Sequence, residues 1–343
     1  MVLGGLVPSS PAVNVLVLVV ATALVWVGSG WLEESAEDLA AYYGLPAVVQ
    51  GSIVVAVGSS FPELASVVFA ALAGAFDIGV GAVVGSAIFN VLVIPALSGL
   101  AADDDLSASR AIVYKEAQFY MLAVSALVVT LALAVIYAPV QGSTLTGELT
   151  RPLALIPLLL YGLYLFIQWQ DVSDADTPGN PDVSVGRAWG TLAAGLLVIL
   201  VAVEQLVGSV ESLGHTFGVP AFLLGVTIVA AATSLPDTLV SVQSAREGNG
   251  ATSLGNVFGS NTFDLLVAVP VGVLLVGAVP VNFAVAVPMF AVLTLATILL
   301  FTALRTDLSL TTVEAGALLA GYVLFVAWVV AETLGVTGVI RGV

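Results

Sequence analysis

The sequence predicts an all-α polytopic membrane protein of ten transmembrane helices, arranged as two inverted repeats of five. Three observations predict it. Of 343 residues 59% are hydrophobic and 9% charged, and the mean hydropathy is +1.13, whereas about a quarter of the residues of a soluble domain carry charge. Apolar runs long enough to cross a hydrocarbon core of about 30 Å recur along the whole chain. The second half repeats the first at a constant offset of 174 residues.

The spans, cut at polar or Gly/Pro-rich junctions, are 11–31, 44–74, 77–101, 111–138, 151–170, 188–207, 218–245, 251–277, 281–304 and 312–333. The first has no basic flank and no small-residue cleavage site, so it reads as a membrane helix and not a signal peptide. The long polar connection is DVSDADTPGNPDVSVGR at 171–187, rich in Asp, Pro, Gly and Ser. It divides the chain into a five-helix repeat at 1–170, an acidic linker and a second repeat at 188–343. Placing the N-terminus outside puts Arg110, Lys115, Arg187, Arg246 and Arg305 on the cytoplasmic side against Arg151 and Arg341 outside, the direction of the positive-inside rule. The linker is then cytoplasmic and the expected location is the cell membrane. Trp26, Trp31, Trp169, Trp189 and Trp328 fall mostly near span ends, where aromatic belts sit.

The repeat is legible residue by residue. GLPAVVQGSIVVAVGSSFPELA at 44–65 lies on GVPAFLLGVTIVAAATSLPDTL at 218–239 with eight of 22 positions identical. With no gap, VGAVVGSAIFNVLVIPAL at 80–97 lies on LGNVFGSNTFDLLVAVPV at 254–271, with seven of 18 identical. Five spans is an odd number, so the second copy enters the membrane from the opposite side, the arrangement of many secondary transporters.

Charge and composition exclude several functions. A net charge of −16 leaves too little Lys and Arg to neutralise a nucleic acid, and the acidic excess suits a source living in high salt, such as a halophilic archaeon. There is no cysteine and a single histidine, His215, so thiolate and His-clustered metal sites are excluded and only oxygen ligands remain, which suit hard cations. The serines of GSSFP have no His or Lys base at comparable depth, so an intramembrane enzyme is disfavoured. The acidic loops around Asp103–Asp105 and Asp171–Asp176 read as solvated surface, without EF-hand spacing.

Each half carries polar residues that lipid-facing helices do not tolerate. They are Ser59, Ser60, Glu63, Ser86 and Asn90 in the first half, and Thr233, Ser234, Asp237, Ser260, Asn261 and Asp264 in the second. A carboxylate at mid-bilayer costs about 3 kcal/mol even on the lenient insertion scale, so Glu63, Asp237 and Asp264 require partners or a watery cavity. Spacings of three and four residues put each set on one helix face. Pro62 and Pro236 remove an amide beside each acid and leave carbonyls near Gly58 and Ala232 without helix partners, which a cation could satisfy. Gly81 and Gly85, with Gly255 and Gly259, lie four apart and are expected to bring the two polar stripes of each repeat together. Up to three carboxylates are expected to converge with hydroxyls and amides. Glu33, Glu34, Glu37 and Asp38 are expected on the wet face of a helix, where Glu37 and its repeat mate Glu211 could line an entrance. Glu116, Glu204, Glu314 and Glu332 are expected near span ends, close to water.

GSSFPE with GSAIFN, repeated as TSLPD with GNVFGSNTFD, resembles the two alpha-repeats of the cation/calcium exchanger superfamily, most of all its prokaryotic sodium/calcium exchangers. The resemblance implies antiport of Na⁺ and Ca²⁺ through a shared central site, with these ions as substrates and no cofactor, in a chain working as a monomer in the lipid bilayer. It implies Glu63 and Asp237 as the principal Ca²⁺ carboxylates. Ser59, Ser60, Ser86, Thr233, Ser234 and Ser260 become oxygen donors mainly for Na⁺, and Asn90 and Asp264 central polar ligands. The chain departs from the pattern in having Asp237 where prokaryotic relatives usually show Glu. Ala82 and Ala87 stand where the second repeat keeps Asn256 and Asn261, and Asp264 replaces Asn. Exchange of H⁺ for Ca²⁺, co-transport of K⁺ and a passive cation channel stay open on the residues alone.

Overall fold

The computed structural model describes residues 10–44, 56–143, 145–170 and 184–339. Among these, eight helices are long and apolar enough to cross a membrane, and a ninth span arises when one bent pair is counted together. Residues 45–55 of the expected second span, and 171–183 of the linker, lie outside the described residues.

The first repeat runs through α1 (Pro11–Tyr42), α2 (Ala56–Ser59), α3 (Phe61–Ala73), α4 (Phe76–Ala101), α5 (Ala117–Tyr137) and α6 (Arg151–Gln170). The second runs through α7 (Val185–Phe217), α8 (Ala221–Leu224), α9 (Ala230–Thr233), α10 (Leu235–Arg246), α11 (Gly250–Phe263), α12 (Val269–Val276), α13 (Phe283–Arg305) and α14 (Thr312–Thr333). The described residues also include π-helical turns at Ile112–Glu116, Gly225–Val229 and Asp264–Ala268. Short antiparallel ribbons tie the repeats together outside the helices. Leu106–Ser107 pairs with Ser309–Leu310, and Thr146–Thr150 pairs with Ala278–Asn282.

Local chemistry sets the helix ends. Pro11 opens α1, where its missing N–H costs nothing. Thr311 and Glu314 form a reciprocal capping box at the start of α14, and the Asn249 and Asn282 side chains cap α11 and α13. The turns reproduce the repeat: Gly44 and Gly218 both have φ of 66°, and Gly74 and Gly248 have 77° and 76°. The members of each pair are 174 residues apart, and the two pairs bracket the same span in each half. A left-handed turn of this kind favours glycine because any Cβ would crowd the following carbonyl.

Two helices are much longer than the spans that hydropathy predicts. Helix α1 has 32 residues and α7 has 33, about 48 Å at 1.5 Å per residue, so both overrun a 30 Å core and must tilt or emerge. They pack on each other through small residues. A Cβ on Gly195 would stand 2.7 Å from the Gly28 carbonyl oxygen, and one on Gly28 would stand 2.9 Å from Ile199, so only glycine permits the crossing.

The core is built around α4, whose side chains are buried from Phe76 to Gly99 with few exceptions. The glycine spacing works differently from its expectation. Gly81 and Gly85 do not join the stripes of one repeat; they seat α4 against the opposite repeat, where added Cβ atoms would stand 2.5 Å from the Phe222 carbonyl oxygen and 2.2 Å from that of Val226. Gly225 returns the approach, 2.3 Å from the Ile78 carbonyl oxygen by the same measure. Within the first repeat it is Gly79 that meets α3, at Val67. Gly255 is looser, with the Ile112 side-chain tip at 3.4 Å.

The expectation that Glu116, Glu204, Glu314 and Glu332 lie close to water needs correction for three of them. Glu204, Glu332 and Glu116 are buried at 5, 7 and 9% exposure. Glu116 accepts hydrogen bonds from Tyr164 and Gln168, both at 2.9 Å, and Lys115 reaches Gln168. This polar knot couples the start of α5 to α6. Glu37 is exposed and Glu211 half-buried.

Candidate functional site

The two broken spans supply the acids. In the first, the helix stops at Ser59 and restarts at Phe61; in the second it stops at Thr233 and restarts at Leu235, with a bend of 46°. The breaks fall on Ser60 and Ser234, 174 residues apart, and Pro62 and Pro236 stand in the first turn of the restarted helices. Proline cannot donate to the carbonyl four residues back, so the chain turns there instead of continuing. Glu63 and Asp237 occupy the first turns of α3 and α10, where the positive end of the helix dipole favours an anion. Both are fully buried, as are Ser59, Ser60, Ser86, Asn90, Thr233, Ser234, Ser260 and Asp264.

The structure brings these ten residues into one neighbourhood in which the two repeats cross. Ser86 donates to Glu63 Oε1 at 3.3 Å, and its repeat mate Ser260 donates to Asp237 Oδ1 at 3.1 Å. Ser86 and Ser234 share a hydrogen bond of 2.7 Å, while Ser59 and Ser260 share one of 3.2 Å. The Asn90 amide donates to Asp237 Oδ2 at 3.2 Å and to Asn261 Oδ1 at 3.0 Å. Thr233 donates to the Val229 carbonyl at 3.1 Å, and its hydroxyl also stands beside the Glu63 carboxylate.

Asp264 opens the π-helical turn Asp264–Ala268, where the first repeat keeps an unbroken α-helix through Asn90. Pro270 lies just beyond. Its missing amide frees the Leu266 carbonyl, and the π-turn absorbs the irregularity. Asp264 stands beside Ser60. The three acids do not close on one point: among the described residues no three acidic side chains stand close enough to share an ion. The arrangement is a set of buried carboxylates among hydroxyls and amides drawn from both repeats.

Several polar atoms in this neighbourhood are buried and, among the described residues, lack a hydrogen bond of normal geometry. They are Ser60 Oγ, Glu63 Oε2, Asn90 Oδ1 and both carboxylate oxygens of Asp264. Every one is an oxygen. A buried carboxylate oxygen without a donor is costly, and roughly nine in ten or more buried polar groups find a partner. Oxygen is the donor type that hard cations prefer.

Two residues outside the sequence-predicted ligand set belong to the network. Asn256 donates to Ser241 at 3.1 Å and to the Asp237 backbone and side chain, and Asn261 donates to the Ala87 carbonyl at 3.3 Å. The sequence signal for them is the asymmetry between repeats: an amide in the second half where the first has Ala82 and Ala87. Glu33, expected in water, has one carboxylate oxygen buried against the core.

Comparison with known proteins agrees with this geometry. The family model described as sodium/calcium exchanger protein matches residues 13–170 and 187–331. An uncharacterized membrane protein of Methanocaldococcus jannaschii is 29% identical over 255 residues, covering 73% of this chain and 78% of that protein. The sodium/potassium/calcium exchanger 3 of Homo sapiens is 39% identical over 77 residues, 22% of this chain and 12% of that protein. Among solved structures, the sodium-calcium exchanger NCX_Mj soaked with Na⁺ and Sr²⁺ superposes with a TM-score of 0.65 at 26% identity, over 93% of this chain and 99% of that one. The match runs through nearly every helix described above, so this chain belongs to the sodium/calcium exchanger protein family, a family of membrane transporters and not of enzymes.

Proposed function

We propose that the protein is a secondary antiporter that exchanges Na⁺ for Ca²⁺ across the cell membrane at the buried site between the two broken spans. The observation that carries this reading is the group of buried oxygens, Ser60 Oγ, Glu63 Oε2, Asn90 Oδ1 and both of Asp264, that have no hydrogen bond of normal geometry among the described residues. Glu63 and Asp237 supply two negative charges, which one Ca²⁺ balances. The hydroxyls of Ser59, Ser60, Ser86, Thr233, Ser234 and Ser260 supply neutral oxygens suited to Na⁺, with Asn90 and Asp264 as central polar groups. Departure of the ions would leave two bare carboxylates in a low-dielectric interior, at a large penalty. The ion-free site therefore resists reorientation, and net movement occurs only with an ion aboard.

Helices α1 and α7 are suited to be the moving pair. They pack mainly on each other through the close approach of Gly28 and Gly195, and lie across the broken spans that hold the acids. Sliding them would expose the site to one face and then the other. The N-terminus lies outside, the linker 171–187 is cytoplasmic, and the working unit is the monomer.

The test is ⁴⁵Ca²⁺ uptake into proteoliposomes preloaded with Na⁺, with K⁺, or with only a proton gradient. Uptake that requires internal Na⁺ supports the proposal. A further requirement for internal K⁺ would make the transport K⁺-dependent, an arm worth including because the similar human protein is named a sodium/potassium/calcium exchanger. Uptake driven by the proton gradient alone would overturn Na⁺ as the counter-ion, and uptake indifferent to every counter-ion would indicate a channel.

A further inference from the structure

The Asn90 side chain has two unlike ends, an oxygen that can bind a cation and an amide that repels one. Which end faces the ion decides whether the residue is a ligand. The Asn90 amide donates to two acceptors, Asp237 Oδ2 at 3.2 Å and Asn261 Oδ1 at 3.0 Å. Its oxygen is buried and, among the described residues, has no hydrogen bond of normal geometry.

This orientation traces back to a group that cannot turn. Asn261 lies on α11 and sets both of its own ends against α4: its amide donates to the Ala87 carbonyl at 3.3 Å, while its oxygen accepts from Asn90. Ala87 and Asn90 are three residues apart on α4 and so share a face. A backbone carbonyl can only accept, so the Asn261 amide must point to Ala87 and its oxygen to Asn90. The reverse would set oxygen against oxygen and amide against amide. All three residues are fully buried, where a misdirected polar end is costly.

The two repeats differ at these positions in a consistent way. At the 174-residue offset the mate of Asn90 is Asp264, and the mate of Asn261 is Ala87 itself. A carboxylate presents oxygen at both ends and needs no partner to choose between them. The asparagine thus accompanies the ligand that has a wrong end, and an alanine stands at the mate position in the half where the corresponding group has none.

We propose that Asn261 is a positioning residue for the ion site, which holds the Asn90 side chain with its oxygen toward the cation. This role rests on the exchange reading above and deepens it. Asn261 is not itself a ligand, because both of its ends are taken up by α4; it acts through Asn90.

The experiment is a double-mutant cycle read by equilibrium ⁴⁵Ca²⁺ binding to the detergent-solubilised protein, with wild type, Asn261→Ala, Asn90→Ala and the double variant. Loss of the one neutral hydrogen bond that orients the ligand predicts a dissociation constant about fivefold higher in Asn261→Ala. Asn90→Ala should weaken binding as well, and once that side chain is gone Asn261→Ala should add nothing further. A residue that merely packs the two helices would instead weaken binding by the same factor in both backgrounds. Unchanged binding in Asn261→Ala, or an equal factor with and without Asn90, would overturn the positioning role. If Asn261→Ala does not melt cooperatively, Asn261→Leu, which fills a similar volume without either polar end, takes its place in the cycle with the same expectation. A wild type that binds no Ca²⁺ would remove the exchange reading, and the positioning role with it.

Discussion

Ser86 and Ser234 come from opposite repeats, share a hydrogen bond of 2.7 Å, and both approach the same oxygen of Glu63, at 3.3 and 3.5 Å. The acid of one half is thus held partly by the hydroxyl of the other. Removing one serine leaves the second still able to donate, so the two should act as a unit. Ser86→Ala and Ser234→Ala are each expected to weaken Na⁺ binding severalfold, and the double variant should depart from their sum by about 0.5 kcal/mol or more. A double-mutant cycle on the Na⁺ dependence of Ca²⁺ exchange checks this; strict additivity would uncouple the pair.

Glu63→Gln and Asp237→Asn keep the shape of each side chain and remove one of the two charges that the proposed exchange sets against Ca²⁺. Each is expected to reduce Ca²⁺ exchange by roughly a hundredfold or more, since a charged interaction worth about 3 kcal/mol corresponds to that factor in binding. The fold should survive, because a neutral amide is cheaper to bury than an ionised acid. Flux assays paired with thermal melts of the purified variants read the two effects separately.

The glycines lead to opposite predictions for two similar changes. A Cβ at Gly85 would stand 2.2 Å from the Val226 carbonyl oxygen, while at Gly255 the nearest atom is the flexible tip of Ile112 at 3.4 Å. Gly85→Ala must push α4 off the opposite repeat, with a cost of about 1–3 kcal/mol or more for overpacking. Gly255→Ala should melt within a few degrees of wild type. Fluorescence-detected melting in detergent distinguishes them.

Pro236→Ala restores an amide to the Ala232 carbonyl and so favours a straight helix across the 46° break at Ser234. The expected outcome is a protein as stable as wild type or slightly more so, with exchange much reduced because Asp237 and Ser234 are rotated out of register. Wild-type exchange in this variant would show that the break has no part in forming the site.

Much of this is legible in the sequence. The 174-residue offset locates both broken spans, both prolines and every acid of the site, because an ionisable group inside an apolar run has few explanations. Helices α1 and α7 outrun their apolar cores because their outer turns carry Glu and Ser, polar enough to mimic a loop while still helical. The partners of Gly81 and Gly85 escape a one-dimensional reading, since spacing along one helix says that something packs closely, not which helix it is. Glu33 is hidden for a related reason. Its neighbours Glu34, Glu37 and Asp38 face outward, and only the crossing of α1 over Gly58 turns it toward the core.

The central claim is that Ca²⁺ and Na⁺ compete for the oxygens around Glu63 and Asp237. Equilibrium ⁴⁵Ca²⁺ binding to the purified protein, titrated with Na⁺ in wild type and in Glu63→Gln, tests it most directly. Displacement of bound Ca²⁺ by Na⁺ in wild type, with no saturable Ca²⁺ binding in the variant, is the predicted result. Ca²⁺ bound equally well by Glu63→Gln, or bound without regard to Na⁺, would contradict it.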